Sequence, residues 1–169
     1  MDIDWNFVKN FSPDEFPENP NKYADVKTIY ALQTIRNVLK KPIYPSPEDG
    51  ALARFDAENE SSQHYCDPSQ EIYSKACDWF TEAWPDETFI CLISLRSKYI
   101  FNAFGIYLDT YLYGKHWPMF HTDTRTLDGL PLMWFRDEGQ YYYIQDRRDF
   151  SLLITVLKEA TFIHVNKNQ

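Results

Sequence analysis

The 169-residue chain is 44% hydrophobic and 17% aromatic, enough for one packed core and too apolar for a disordered segment. Its formal net charge of −8 argues against nucleic acid as the main partner and against simple adhesion to anionic lipid. No apolar run approaches the length of about eighteen residues that a membrane-spanning helix needs.

Residues 1–22 carry Phe7, Phe11, Phe16 and three prolines, which predicts an irregular arm whose rings dock on the core. Ile29, Leu32, Ile35 and Leu39 recur at helical spacing and Pro42 follows, so 23–40 reads as a helix. Residues 42–63 hold Pro42, Pro45, Pro47 and Gly50 and read as a loop with a short strand at 43–44. Over 69–83, Ile72, Ala76, Trp79 and Phe80 fit the inward face of a second helix, with Ser69 as its cap and Trp84-Pro85-Asp86 as its break. A third helix is predicted over 87–98. The segments 100–108, 119–124, 132–136 and 141–145 are short, aromatic and separated by turn residues, as strands are. Asp137-Glu138-Gly139 predicts a hairpin between the last two, and Phe150, Leu153, Val156 and Leu157 mark a closing helix. The expected class is α+β, with N-terminal helices packed on a small, mainly antiparallel sheet. One domain spans 1–169: the arm, a core over 23–126, and a hairpin with a C-terminal helix over 127–169.

Three stretches carry candidate chemistry: Ser62-Gln63-His64, Lys75-Ala76-Cys77-Asp78, and Phe120-His121-Thr122-Asp123-Thr124-Arg125. Zinc in hydrolases takes three protein ligands from His, Asp or Glu and keeps a fourth place for water, a pattern His64, Asp78 and His121 would fill. Asp78 lies in an apolar stretch, where a buried carboxylate needs a cation or donors. Alternation along a strand puts His121 and Asp123 on one face, about 7 Å apart, which suits a ligand and a neighbouring carboxylate. Asp123 serves catalysis, or simply fixes a turn or pairs with Arg125. Cys66 and Cys77 flank the proposed ligands and are alternative thiolate donors. With Cys91 they make an odd count, which closes no disulfide framework and fits a chain folded in the cytoplasm. Met1-Asp2-Ile3-Asp4-Trp5 is acidic and has no apolar signal core.

The order of these motifs resembles the zinc D-Ala-D-Ala carboxypeptidase family, which shares its fold with the hedgehog signalling domain and includes phage cell-wall endopeptidases. The resemblance runs over roughly residues 10–126. It takes in Asn10-Phe11-Ser12-Pro13-Asp14-Glu15-Phe16, Lys41-Pro42-Ile43, the three stretches above and Gly105-Ile106-Tyr107. Gly50-Ala51-Leu52-Ala53-Arg54-Phe55 is similar to a phage-type branch. The resemblance implies zinc on His64, Asp78 and His121, a carboxylate as general base and an arginine gripping a substrate carboxylate. Asp123 is the candidate base, with Asp109 or His116 behind it. Arg54 is the candidate anchor, ahead of Arg125.

The chain departs from the family at three places. His64 and Asp78 are separated by twice the usual spacing, so residues around Cys66-Asp67-Pro68-Ser69-Gln70 must loop out. Pro118 stands where some members carry an acid three residues before the last His. Ser46-Pro47-Glu48-Asp49 stands where the family has its anchoring arginine. The implied function is hydrolysis of amide bonds in peptidoglycan peptide stems by a phage endolysin or a lytic part of a virion. Such a protein is made in the bacterial cytoplasm without a signal peptide and acts at the cell wall, with no nucleic-acid or membrane partner. The alternative is a structural or assembly protein of a phage tail or capsid, partnered by other virion proteins, that keeps the fold without catalysis.

Overall fold

In the computed structural model, residues 3–56, 58, 60–126, 132–144 and 147–167 are described, and they form four helices and eight strands. After a one-turn helix α1 (Pro20–Tyr23), helix α2 (Val26–Leu39) starts where the Asp25 carboxylate accepts the Lys27 N–H at 2.9 Å. Its apolar stripe of Ile29, Leu32, Ile35 and Leu39 is buried, and Lys40 ends it in the left-handed region at φ 55°. There follow β1 (Ile43–Pro45), β2 (Ala76–Thr81), α3 (Pro85–Arg96), β3 (Ala103–Tyr107), β4 (Tyr111–Leu112), β5 (Lys115–His116), β6 (Met119–Asp123), β7 (Met133–Asp137), β8 (Gln140–Tyr143) and α4 (Arg147–Lys167).

Six strands form one sheet in the order β1-β2-β6-β3-β7-β8, antiparallel throughout except between β3 and β7. β4 and β5 pair with each other as a separate small hairpin. One face of the sheet presents Cys77, Trp79, Phe104, Ile106, Phe120 and Phe135, which join Ile29 and Leu32 of α2, Leu92 of α3 and Leu153 of α4 in a single core. The arm docks beside it: Phe11 and Phe16 are buried, and Phe7, though exposed, lies edge-on to Tyr30 at 5.0 Å. The opposite face carries one rung across four strands, Asp78–His121–Gly105–Trp134.

The α+β class, the first and third helices, the four aromatic strands and the closing helix are present as expected; residue 145 of the last strand segment lies outside the described residues. The hairpin at Asp137-Glu138-Gly139 is present too, with Glu138 at φ 46° and Gly139 at φ 77°, the backbone a tight hairpin turn requires. The second helix is corrected. Residues 69–83 contain β2, preceded by a one-turn 3-10 segment, Pro68–Gln70, that Asp67 rather than Ser69 caps. All six residues of β2 are buried, so no alternation marks it as a strand, and its apolar run imitates a helical stripe. Trp84-Pro85-Asp86 opens α3 instead of breaking a helix, because proline suits a first helical position. Among the described residues no helix is long and apolar enough to cross a membrane.

Candidate metal centre

His64, Asp78 and His121 meet, and all three are buried. His64 Nε2 lies 3.2 Å from His121 Nδ1, His121 Nδ1 lies 2.8 Å from Asp78 Oδ1, and His64 Nε2 lies 3.5 Å from Asp78 Oδ1. A four-coordinate ion with bonds of about 2.0–2.1 Å separates its ligand atoms by about 3.4 Å. The triangle therefore fits three corners of such a site. Two imidazole nitrogens and one carboxylate oxygen make a donor set that can hold a divalent metal ion. His64 Nδ1 is buried without a hydrogen-bond partner among the described residues, so its opposite nitrogen alone is engaged, and that nitrogen faces the cluster.

Each ligand is placed by local structure that the motifs encode. Ser62 Oγ accepts the His64 N–H at 3.2 Å, a side-chain turn that explains the serine two residues before the histidine. Asp78 and His121 are register partners on β2 and β6. The extra residues between His64 and Asp78 do loop out, around Pro68–Gln70, in a turn closed by the Asp67–Ile72 bridge.

Residues 50–54 brace both ligands. The Asp78 N–H donates to the Ala51 carbonyl at 2.9 Å, and the Arg54 N–H donates to the His64 carbonyl at 2.8 Å. The brace is itself held by Glu18 of the arm, whose carboxylate accepts the N–H groups of Gly50, Leu52 and Ala53 at 2.6, 3.1 and 3.2 Å. Glu18 carries no sequence signal of this role, since a carboxylate bound to backbone belongs to no side-chain motif.

Asp123 lies behind the cluster. Its Oδ2 accepts from His121 Nε2 at 3.1 Å, and Arg125 grips both its oxygens, Nε on Oδ1 at 2.8 Å and Nη2 on Oδ2 at 2.5 Å. A carboxylate so paired is an acceptor only. Nε2 therefore carries a proton; with a metal ion bound, the ring would keep that proton and give up the one on Nδ1, whose lone pair would then face the ion. Both expected features of this motif, the shared face and the Arg125 pair, are present together.

The other sequence candidates sit elsewhere. The Arg54 side chain folds back so that Nε donates to the Gly50 carbonyl at 3.2 Å. Asp109 accepts from Arg136 Nε at 2.8 Å and from the Gly139 N–H at 2.7 Å. His116 packs edge-on to Tyr111 in the small hairpin, 5.5 Å between ring centres. The Cys66 thiol donates to the Tyr23 carbonyl, and Cys77 belongs to the helix-covered face. Burial raises the pKa of both thiols, which leaves them poor ligands beside the three donors above.

The electrostatics follow from the same contacts. For His121, burial alone would lower the pKa, but the hydrogen bonds and charges of Asp123 and Asp78 overcome it and raise the value to about 9. For Asp78, burial would raise the pKa, and His121 and His64 together hold it well below the usual carboxylate range. Asp123 is likewise depressed, by His121 and Arg125 against the pull of burial. No family model, curated protein or solved structure matches the chain.

Proposed function

We propose that the protein is a zinc-dependent peptidase that hydrolyses amide bonds in the peptide stems of bacterial peptidoglycan, with the fold of the D-Ala-D-Ala carboxypeptidase and hedgehog group. What carries the reading is the His64, Asp78, His121 triangle, buried and spaced for a four-coordinate ion with one corner left over. Zinc bound there supplies a polarised substrate carbonyl and a water of lowered pKa. The chain's own residues do the rest. With the ion bound, His64 and His121 would each turn a ring-nitrogen lone pair to it, and Asp78 would add one negative charge. Asp123, fixed by Arg125, holds the His121 ring in the orientation that binding needs. In this reading Asp123 orients a ligand rather than takes a proton from water, a role that its hold on both His121 and Arg125 supports. Arg54 grips a substrate carboxylate only by leaving Gly50. The protein acts at the cell wall, after lysis or as part of a virion.

The second reading is an assembly protein of a phage tail or capsid that keeps the site without turnover. Pro118 in place of an acid, and an Asp123 already committed to His121, favour it. Digestion of purified peptidoglycan separates the two. Release of peptide fragments that stops on chelation and returns with added zinc is the expected result. Cleavage indifferent to chelators overturns the metallopeptidase, and a fully zinc-loaded protein that leaves wall fragments intact supports the assembly role.

A further inference from the structure

Gly105-Ile106-Tyr107 is a motif that the metal cluster leaves unused. Alternate residues of a strand share a face, so Gly105 and Tyr107 both lie on the cluster's side of β3. Gly105 is the rung neighbour of His121 on one side and of Trp134 on the other. With no side chain at 105, the Trp134 indole lies over the gap. A Cβ there would collide with Trp134 Cε2 and Nε1. The indole thereby reaches the cluster, its centre 5.0 Å from that of the His121 ring.

Tyr107 stands one rung further along, paired with Arg136 on β7. Its ring is pinned by the Arg136 guanidinium at 4.7 Å and by the edge of Tyr141 at 6.2 Å. Burial first, then the Asp78 charge, raises its pKa, so the phenol keeps its proton at neutral pH. Tyr107 thus lies on the same side of the sheet as the three donors, one rung from the Gly105–His121 pair.

We propose that Tyr107 is a catalytic residue of the amide hydrolysis, its hydroxyl donating a hydrogen bond to the oxyanion that develops on the substrate carbonyl. The role rests on the peptidase reading. In the step, a lone pair of the water oxygen forms the bond to the carbonyl carbon, and the carbonyl π pair moves onto its oxygen. Tyr107 stabilises that charge without giving up its proton. The pair then returns, the C–N bond breaks, and the amine leaves with one of the water's protons while the other stays with the new acid.

Tyr107→Phe tests this, since it removes one oxygen and keeps the ring packing. With the zinc-loaded protein and a synthetic stem peptide, kcat is expected to fall about 100- to 1,000-fold, with KM, zinc content and thermal transition unchanged. A phosphinate isostere of the cleaved dipeptide should lose at least about tenfold in affinity by calorimetry, while the product peptide binds as before. Equal phosphinate affinity and equal kcat in the two proteins overturn the role of Tyr107 and leave the peptidase reading standing. A Tyr107→Phe protein that loses zinc or its folding transition also overturns it, because the residue then belongs to the scaffold. A zinc-loaded wild type that neither cleaves the peptide nor binds the phosphinate overturns the peptidase reading, and this role with it.

Discussion

His121 sits between two carboxylates, Asp78 on Nδ1 and Asp123 on Nε2. In the metal-free protein this holds it protonated up to a pKa of about 9, above its unfolded value of 6.5. The stability this confers is complete below about 6.5 and disappears as pH rises through 9. Metal needs the neutral ring, so uptake expels a proton, and apparent affinity should weaken about tenfold for each pH unit below 9. Titration against a competing chelator between pH 6 and 9 measures that slope, and a flat profile would contradict the placement of His121 in the cluster. Asp123→Asn keeps the shape of the side chain but weakens its grip on Nε2 and Arg125. Metal affinity should fall about 10- to 100-fold, whereas a residue serving only as proton acceptor would leave it unchanged. The ligand types were legible in sequence because few residues bind zinc and each stood in a recognisable triplet. The contrast between Asp123 as base and as orienter was not legible, because it depends on which ring nitrogen points inward.

At the scale of elements, the site is a meeting of β2 and β6 braced by residues 50–54 and by the arm. Glu18 accepts three backbone N–H groups, of Gly50, Leu52 and Ala53, which lose that acceptor once the carboxylate is removed. Glu18→Ala is expected to destabilise the fold by about 1–3 kcal/mol and to weaken metal binding, since the same segment fixes the Asp78 and His64 backbones. Denaturant melts of the metal-free and loaded variant measure both effects; unchanged metal affinity alongside lost stability would confine Glu18 to a structural role. Helix α2 and the β7–β8 hairpin were legible because period, caps and turn residues agree. β2 was not, because a strand covered on both sides loses the alternation by which strands are recognised. The β4–β5 hairpin, two residues a strand, is too short to leave any periodic trace.

For the whole molecule, the ligands are gathered from segments up to 57 residues apart in sequence, and the unfolded chain has no preformed site. Binding therefore adds directly to folding stability. At free metal of about a thousand times Kd the gain is about 4 kcal/mol, which for a chain of this size raises Tm by roughly 10 °C. Calorimetric scans with and without a chelator check this, and a Tm indifferent to the metal would place the donors outside a true binding site. The rung Asp78–His121–Gly105–Trp134 makes the sheet the element that sets Asp78 against His121, and the loop before β2 brings His64 to them.

The indole that settles over Gly105 also gives the molecule a built-in optical gauge. A tryptophan this near an imidazolium is dimmed by electron transfer, and exchange of the ring's proton for an ion changes that quenching. Occupancy should thus be visible as a change in intrinsic emission, abolished in Trp134→Phe while the other four tryptophans stay silent. The chain reports on its own loading, with no dye attached.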